Sequence, residues 1–196
     1  HGVFDTACLT PCAIAVIERS SVGCDYFVVP TNPLQNGQFA VALSNIDPVT
    51  PANVTVEVKN NGVWSTVPGG SISVAPLNLQ TVNLAKRTIN GTAAYAGGAY
   101  RVTSDLPIIA YQFNPINGAS SFLSDASLLL PTSSLDQFYI TPGWPYGRDI
   151  SNVLRPTHIQ IAAAEDNTVI QITSPILTPA GSGGVPTFQP NVTDSV

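Results

Sequence analysis

Short stretches in which β-branched or aromatic residues alternate with polar ones, cut every 8 to 15 residues by Pro, Gly and Asn clusters, run through most of the 196-residue chain. Alternation with period two places every second side chain on one face of a strand, and breaks this frequent leave no room for long helices. The pattern predicts an all-β fold. Candidate strands are Tyr26 to Val29, Gln38 to Ser44, Asn53 to Lys59, Val63 to Val67, Ser71 to Val74, Gln80 to Leu84, Ala99 to Ser104, Ile108 to Asn114, Ser127 to Leu130, Gln137 to Thr141, His158 to Ala164 and Thr168 to Thr173. Asn61-Gly62, between Val58 and Trp64, predicts a type I′ hairpin, because both residues tolerate positive φ. One short helix is expected over Cys12 to Arg19, with Thr10 as N-cap and Pro11 at the first helical position. The Pro/Gly/Ser-rich tail from Pro175 to Pro190 reads as an extended loop without a packed core.

The chain repeats itself. Tyr26-Phe27-Val28-Val29-Pro30 recurs 112 residues later as Phe138-Tyr139-Ile140-Thr141-Pro142. Downstream, Phe39 to Leu43 and Asn53 to Val58 are echoed by His158 to Ala162 and Asn167 to Ile172. The first copy continues into Tyr100 to Phe113, which has no counterpart before Val196. The expected organisation is two tandem β-sandwich-like units, the second incomplete. A Cys-containing segment spans 1–24, a first unit 25–131, and a partial second unit with a Pro/Gly-rich tail 132–196. An incomplete sandwich leaves strand edges open, and an open edge accepts a strand from elsewhere.

Seven basic residues stand against 12 acidic ones, for a net charge of -5, which excludes a basic surface suited to a phosphate backbone. The polarity comes instead from 49 Ser, Thr and Asn residues. The apolar runs fall short of the roughly 20 residues needed to span a bilayer. A start at His1 and the absence of Met predict a processed or excised piece. Sequons at Asn53, Asn90 and Asn191 agree with secretion and mark possible glycosylation sites. Cys8, Cys12 and Cys24 are odd in number and form no CxxC pair. In an oxidising compartment they allow one bridge, for which loop length favours Cys12 to Cys24, and one thiol left over.

Several blocks together resemble the IgGFc-binding protein N-terminal domain family. They are Gly23-Cys24-Asp25-Tyr26-Phe27, Ala99 to Ile108, Asp125-Ala126-Ser127-Leu128-Leu129-Leu130-Pro131, and Ala164-Glu165-Asp166-Asn167-Thr168. They run from about residue 20 to 175. The likeness is to the bacterial, myxobacterial-like secreted or surface form. It implies an extracellular or cell-surface, non-catalytic adhesion or scaffolding module, with no catalytic residue and no cofactor to carry over. It also implies a pattern that continues past Val196. The expected partners are a protein or glycan at the cell surface or, through the open strand edge, further copies of the chain.

A different class of function is set against this one. An N-terminal His binds copper through its amine and ring nitrogen, and His158 would complete the brace of a secreted copper-dependent polysaccharide monooxygenase. The plain reading makes His1 a trimmed chain start and His158 a surface imidazole at a strand end. Asp105 with Asp125, or Glu165 with Asp166, would suit glycoside hydrolysis, but each sits in a turn-like context where Asp caps backbone groups. The sequence has no GxSxG elbow and no DxDxDG loop, and no helix follows Gly181 to Gly184. Tyr26, Phe27, Phe39, Trp64, Tyr100, Tyr111, Phe113, Phe138 and Tyr139 read as core. Trp144 with Tyr146 lies in a loop and is a candidate contact platform for sugar or protein.

Overall fold

Helix α1 (Pro11–Glu18) forms where the Thr10 hydroxyl accepts from the Ala13 amide at 3.2 Å, and Pro11 gives up an N–H that no helical carbonyl could have received. It ends at Arg19, whose left-handed φ of 48° returns its N–H to the Ala15 carbonyl. The computed structural model describes residues 9–31, 38–88, 91–116, 125–143, 147–148, 151–155 and 157–196. Among these residues, the regular structure beyond α1 and a 3₁₀ turn at Thr132–Ser134 is strand, as the alternation predicts.

Strands β1 (Gly23–Val28), β2 (Phe39–Asn45), β3 (Ala52–Asn60), β4 (Val63–Val74), β5 (Leu79–Leu84), β6 (Tyr100–Phe113) and β7 (Ala126–Leu128) make one antiparallel sheet. Its path runs β4-β3-β6-β2-β5, with β1 and β7 also on β6. β6 organises the whole. Its first half pairs with β3 and β1 (Val102 opposite Val56 and Tyr26), and its second half with β2 and β7 (Ala110 opposite Leu43, Tyr111 opposite Leu128). The sheet curls over a shared core, so that Phe39 of β2 stacks on Tyr100 of β6 at 6.4 Å, and Gln80 of β5 reaches the Ser73 carbonyl of β4. A strand that serves two half-sheets in this way is how a sandwich turns its corner.

The core comprises the inward residues of these strands: Val54, Val56 and Val58 from β3, Phe39, Val41 and Leu43 from β2, and Tyr100, Val102, Ile108 and Ala110 from β6. Asn45 is the buried polar residue among them. Its amide donates to the Thr50 and Val74 carbonyls at 2.8 and 3.0 Å, and its oxygen accepts from the Asp47 amide at 2.9 Å. Asn45→Ala strands the buried Val74 carbonyl and removes the bonds to the Thr50 carbonyl and the Asp47 amide, so a urea melt is expected to show a loss of about 2 kcal/mol. An unchanged midpoint would mean that water replaces all three bonds.

Several expected boundaries differ. The two strands anticipated between Val63 and Val74 are one, with residues 67–70 bulging opposite Val56. Gly70 fits there because a Cβ would lie 2.6 Å from the Val56 carbonyl oxygen. The two anticipated between Ala99 and Asn114 are also one. Pro107 is tolerated because positions 105–107 have no register partner, so no ladder bond is lost. Gln137 to Thr141 and His158 to Ala164 are irregular, and Thr168 to Thr173 shortens to β10 (Gln171–Thr173), which pairs with β11 (Thr193–Ser195). Before them lies the small pair β8 (Gly147–Arg148) and β9 (Leu154–Arg155). The tail is not coreless. Val185 and Phe188 are buried, and Thr178 and Phe188 exchange backbone bonds.

Candidate functional site

Odd-numbered positions on β1 and β6 point away from the core, and register brings them together with their neighbours on β3 and β4. Arg101 lies opposite Phe27 and Glu57, Asp25 opposite Thr103, and Trp64 opposite Lys59. Arg101 donates from Nε and Nη2 to the two Asp25 oxygens at 2.8 and 3.1 Å, a bidentate pair. That bond, the largest influence on the guanidinium, pushes its already high pKa further up. Trp64 meets Phe27 edge-on at 6.2 Å and receives Lys59 Nζ at 5.5 Å and the Arg101 guanidinium at 6.0 Å. Lys59 also bridges to Asp166. This face pairs Arg101 with Asp25 and Lys59 with Asp166. It is amphipathic, with the Phe27 and Trp64 rings set among the paired charges.

The same face anchors the second half of the chain. Thr132 Oγ1 donates to Asp25 at 3.2 Å, Ser134 Oγ donates to the Ser20 carbonyl at 2.8 Å, and Pro131 bridges to Tyr26. Gly23 permits that approach, since a Cβ there would stand 2.4 Å from the Pro131 Cβ. Beyond the anchor the chain opens out. Tyr26 and Val28 are fully buried in the first copy of the repeat, whereas Phe138 and Ile140 at the same places in the second are 80% and 84% exposed. Tyr139, Ile159, Ile161 and Val169 are exposed as well. The expectation that Phe138 and Tyr139 belong to a core therefore fails, because nothing among the described residues pairs with their strand.

Residues 125–194 match the family model for the IgGFc binding protein. The match begins immediately before β7 and ends within β11, so this family segment contains both the anchor and the open stretch. It meets the resemblance read from the sequence over their common part. No curated protein and no solved structure matches the chain.

The other residues singled out by sequence fall as follows. Cys12 and Cys24 form a disulfide with their Cα atoms 5.7 Å apart, tying α1 to β1, while Cys8 lies outside the described residues. His1, Asn90, Trp144 and Tyr146 also lie outside them. His158 is exposed on irregular backbone, and among the described residues no three His, Cys, Asp or Glu side chains cluster as metal ligands. Asp105 accepts from the Asn53 amide and side chain at 2.8 and 2.7 Å, which engages the side-chain nitrogen of that sequon. Asn191 sits on an exposed turn with φ 60°. Glu165 and Asp166 occupy the turn expected of them, with Asn167 at φ 61°. Sequence reasoning missed the Arg101–Asp25–Trp64 cluster. Its signal was present, because both charged members fall within the blocks that carry the family resemblance.

Proposed function

We propose that this chain is an extracellular, non-enzymatic adhesion or assembly module whose second unit, 132–196, is incomplete and takes an extended strand from a second copy of the chain. The observation that carries this reading is the exposure of Phe138 and Ile140, at repeat positions where Tyr26 and Val28 are core. In the first unit the strand at 26–28 is buried because β6 pairs with it. The second unit has strand-forming residues and apolar side chains but, among the described residues, no strand of that kind beside 138–140. An added strand supplies main-chain partners and covers the alternate side chains in one step. The family match supports a role in binding a protein partner. The Cys12–Cys24 bridge supports an oxidising, extracellular setting, and Asn191, on an exposed turn, is a sequon placed to carry sugar there.

Sedimentation equilibrium over a concentration series tests the proposal. The wild type is expected to self-associate, and the double substitution Phe138→Lys with Ile140→Lys is expected to weaken association by about tenfold or more, with the near-ultraviolet spectrum of the first unit unchanged. A mass that stays monomeric at every concentration overturns it.

A further inference from the structure

An open cleft of about 580 Å³ lies where β4 and β5 part at one end of the sandwich. Its floor is apolar, formed by one residue from each of four strands: Val58 of β3, Val67 of β4, Leu84 of β5 and Tyr100 of β6. Its rim is cationic. Lys86 and Arg87, two of the seven basic residues in an acidic chain, line it as β5 runs out, and the half-exposed ring of Tyr95 lines it too. A mouth with an apolar floor and a few convergent polar groups is where small ligands bind in β-barrels and related sheets.

Among the described residues the Arg87 side chain is held in place by neutral acceptors. Nη1 and Nη2 both donate to Asn60 Oδ1, at 3.5 and 3.1 Å, and Nη1 donates also to the Gly97 carbonyl at 3.2 Å. These acceptors are uncharged and take the end of the guanidinium. The edge formed by Nε and the outer Nη2 hydrogen has no acceptor among the described residues. Arg101 uses that same edge to grip Asp25, from Nε and Nη2. Arg87 thus presents a carboxylate-shaped fork that the described residues leave unfilled. The surroundings are braced as well. Tyr100 Oη donates to the Ala85 carbonyl at 2.6 Å, and the segment carrying Tyr95 is pinned to the tail by Ala94 N to Ser182 O and Ser182 N to Thr92 O, at 3.0 and 3.1 Å.

We propose that this cleft binds a small amphipathic carboxylate, with its head on the free edge of Arg87 and its apolar body along the strand ends beneath Tyr95. The neutral acceptors on Arg87 orient the fork before binding, so little side-chain freedom is lost when the ligand arrives. The inference is independent of the assembly role, since none of the cleft's residues belongs to the 132–196 unit.

Isothermal titration of the full chain with octanoate, 1-octanol and acetate tests it. Octanoate is expected to bind in a one-to-one ratio, with octanol and acetate each at least tenfold weaker because each lacks half of the recognition. Arg87→Gln should weaken octanoate binding by about tenfold or more. Tyr95→Ala, which leaves the bonds of Arg87 in place, should weaken it several-fold. The proposal is overturned if octanol binds as well as octanoate, if Arg87→Gln leaves octanoate affinity unchanged, or if a galacturonate oligomer binds where octanoate does not, which would make the site a sugar subsite.

Discussion

Tyr26→Ala is expected to lower the unfolding free energy by about 3 to 5 kcal/mol, the cost of emptying an aromatic site in a closed core. The ring is fully buried, and its hydroxyl donates to the Ile108 carbonyl and lies 3.1 Å from the Ser21 carbonyl, so it pins β1 to the second half of β6. Tyr26→Phe isolates the hydroxyl and should cost about 1 to 2 kcal/mol. The same burial pushes the phenol's pKa from 10.0 up to about 12. Because the fold favours the protonated phenol, this contribution is whole below pH 10 and is lost as pH rises toward 12, at about 1.4 kcal/mol per unit. Urea melts at pH 8 and through that window should show the wild type losing stability more steeply than Tyr26→Phe. Tyr100, also raised chiefly by burial, keeps part of the alkaline loss in both proteins. Identical slopes would show that the phenol of Tyr26 is not buried.

Reduction of the Cys12–Cys24 bridge is expected to cost about 3 kcal/mol, from the entropy returned to an unfolded chain that it closes over a separation of 12 residues. The loss should be uneven. α1 buries Ala15 but leaves Val16 and Ile17 exposed, so packing alone holds it weakly. An eight-residue helix has little stability of its own. Circular dichroism with and without reductant should therefore show the small helical signal lost at lower urea than the sheet signal, and Cys12→Ser with Cys24→Ser should reproduce the reduced protein. Coincident melts with an unshifted midpoint would contradict this.

The strands that were legible in sequence are those whose alternation is matched by a partner. Val54, Val56 and Val58 alternate and are core, Asn61 and Gly62 take the positive φ that their turn requires, and Thr10-Pro11 starts the helix. The continuity of β6 was hidden because Leu106-Pro107 reads as a break, yet the missing N–H falls where the strand passes from one half-sheet to the other. Gln137 to Thr141 has the same local pattern as β1 but stays irregular, because propensity describes the surface a strand would offer and the neighbour decides whether it forms. The burial of Val185 and Phe188 was obscured for the opposite reason. Gly181 and Gly183 look like flexible spacers but let the tail close on Thr92 and Ala94, where a Cβ would meet backbone oxygen at 2.0 and 2.2 Å. The charged face became visible only once register set Asp25 and Arg101 beside Trp64, and the cleft at Arg87 only once Asn60 and Gly97 were seen to hold its guanidinium.

Amide hydrogen exchange over a concentration series tests most directly whether the second unit completes itself through another copy. In dilute solution the amides of β2, β3 and β6 should resist exchange for hours while those of 138–140 and 159–161 exchange at nearly unfolded rates, and the latter should gain protection as concentration rises. Protection at 138–140 already present in the dilute monomer, or exchange there that no concentration slows, would contradict the account.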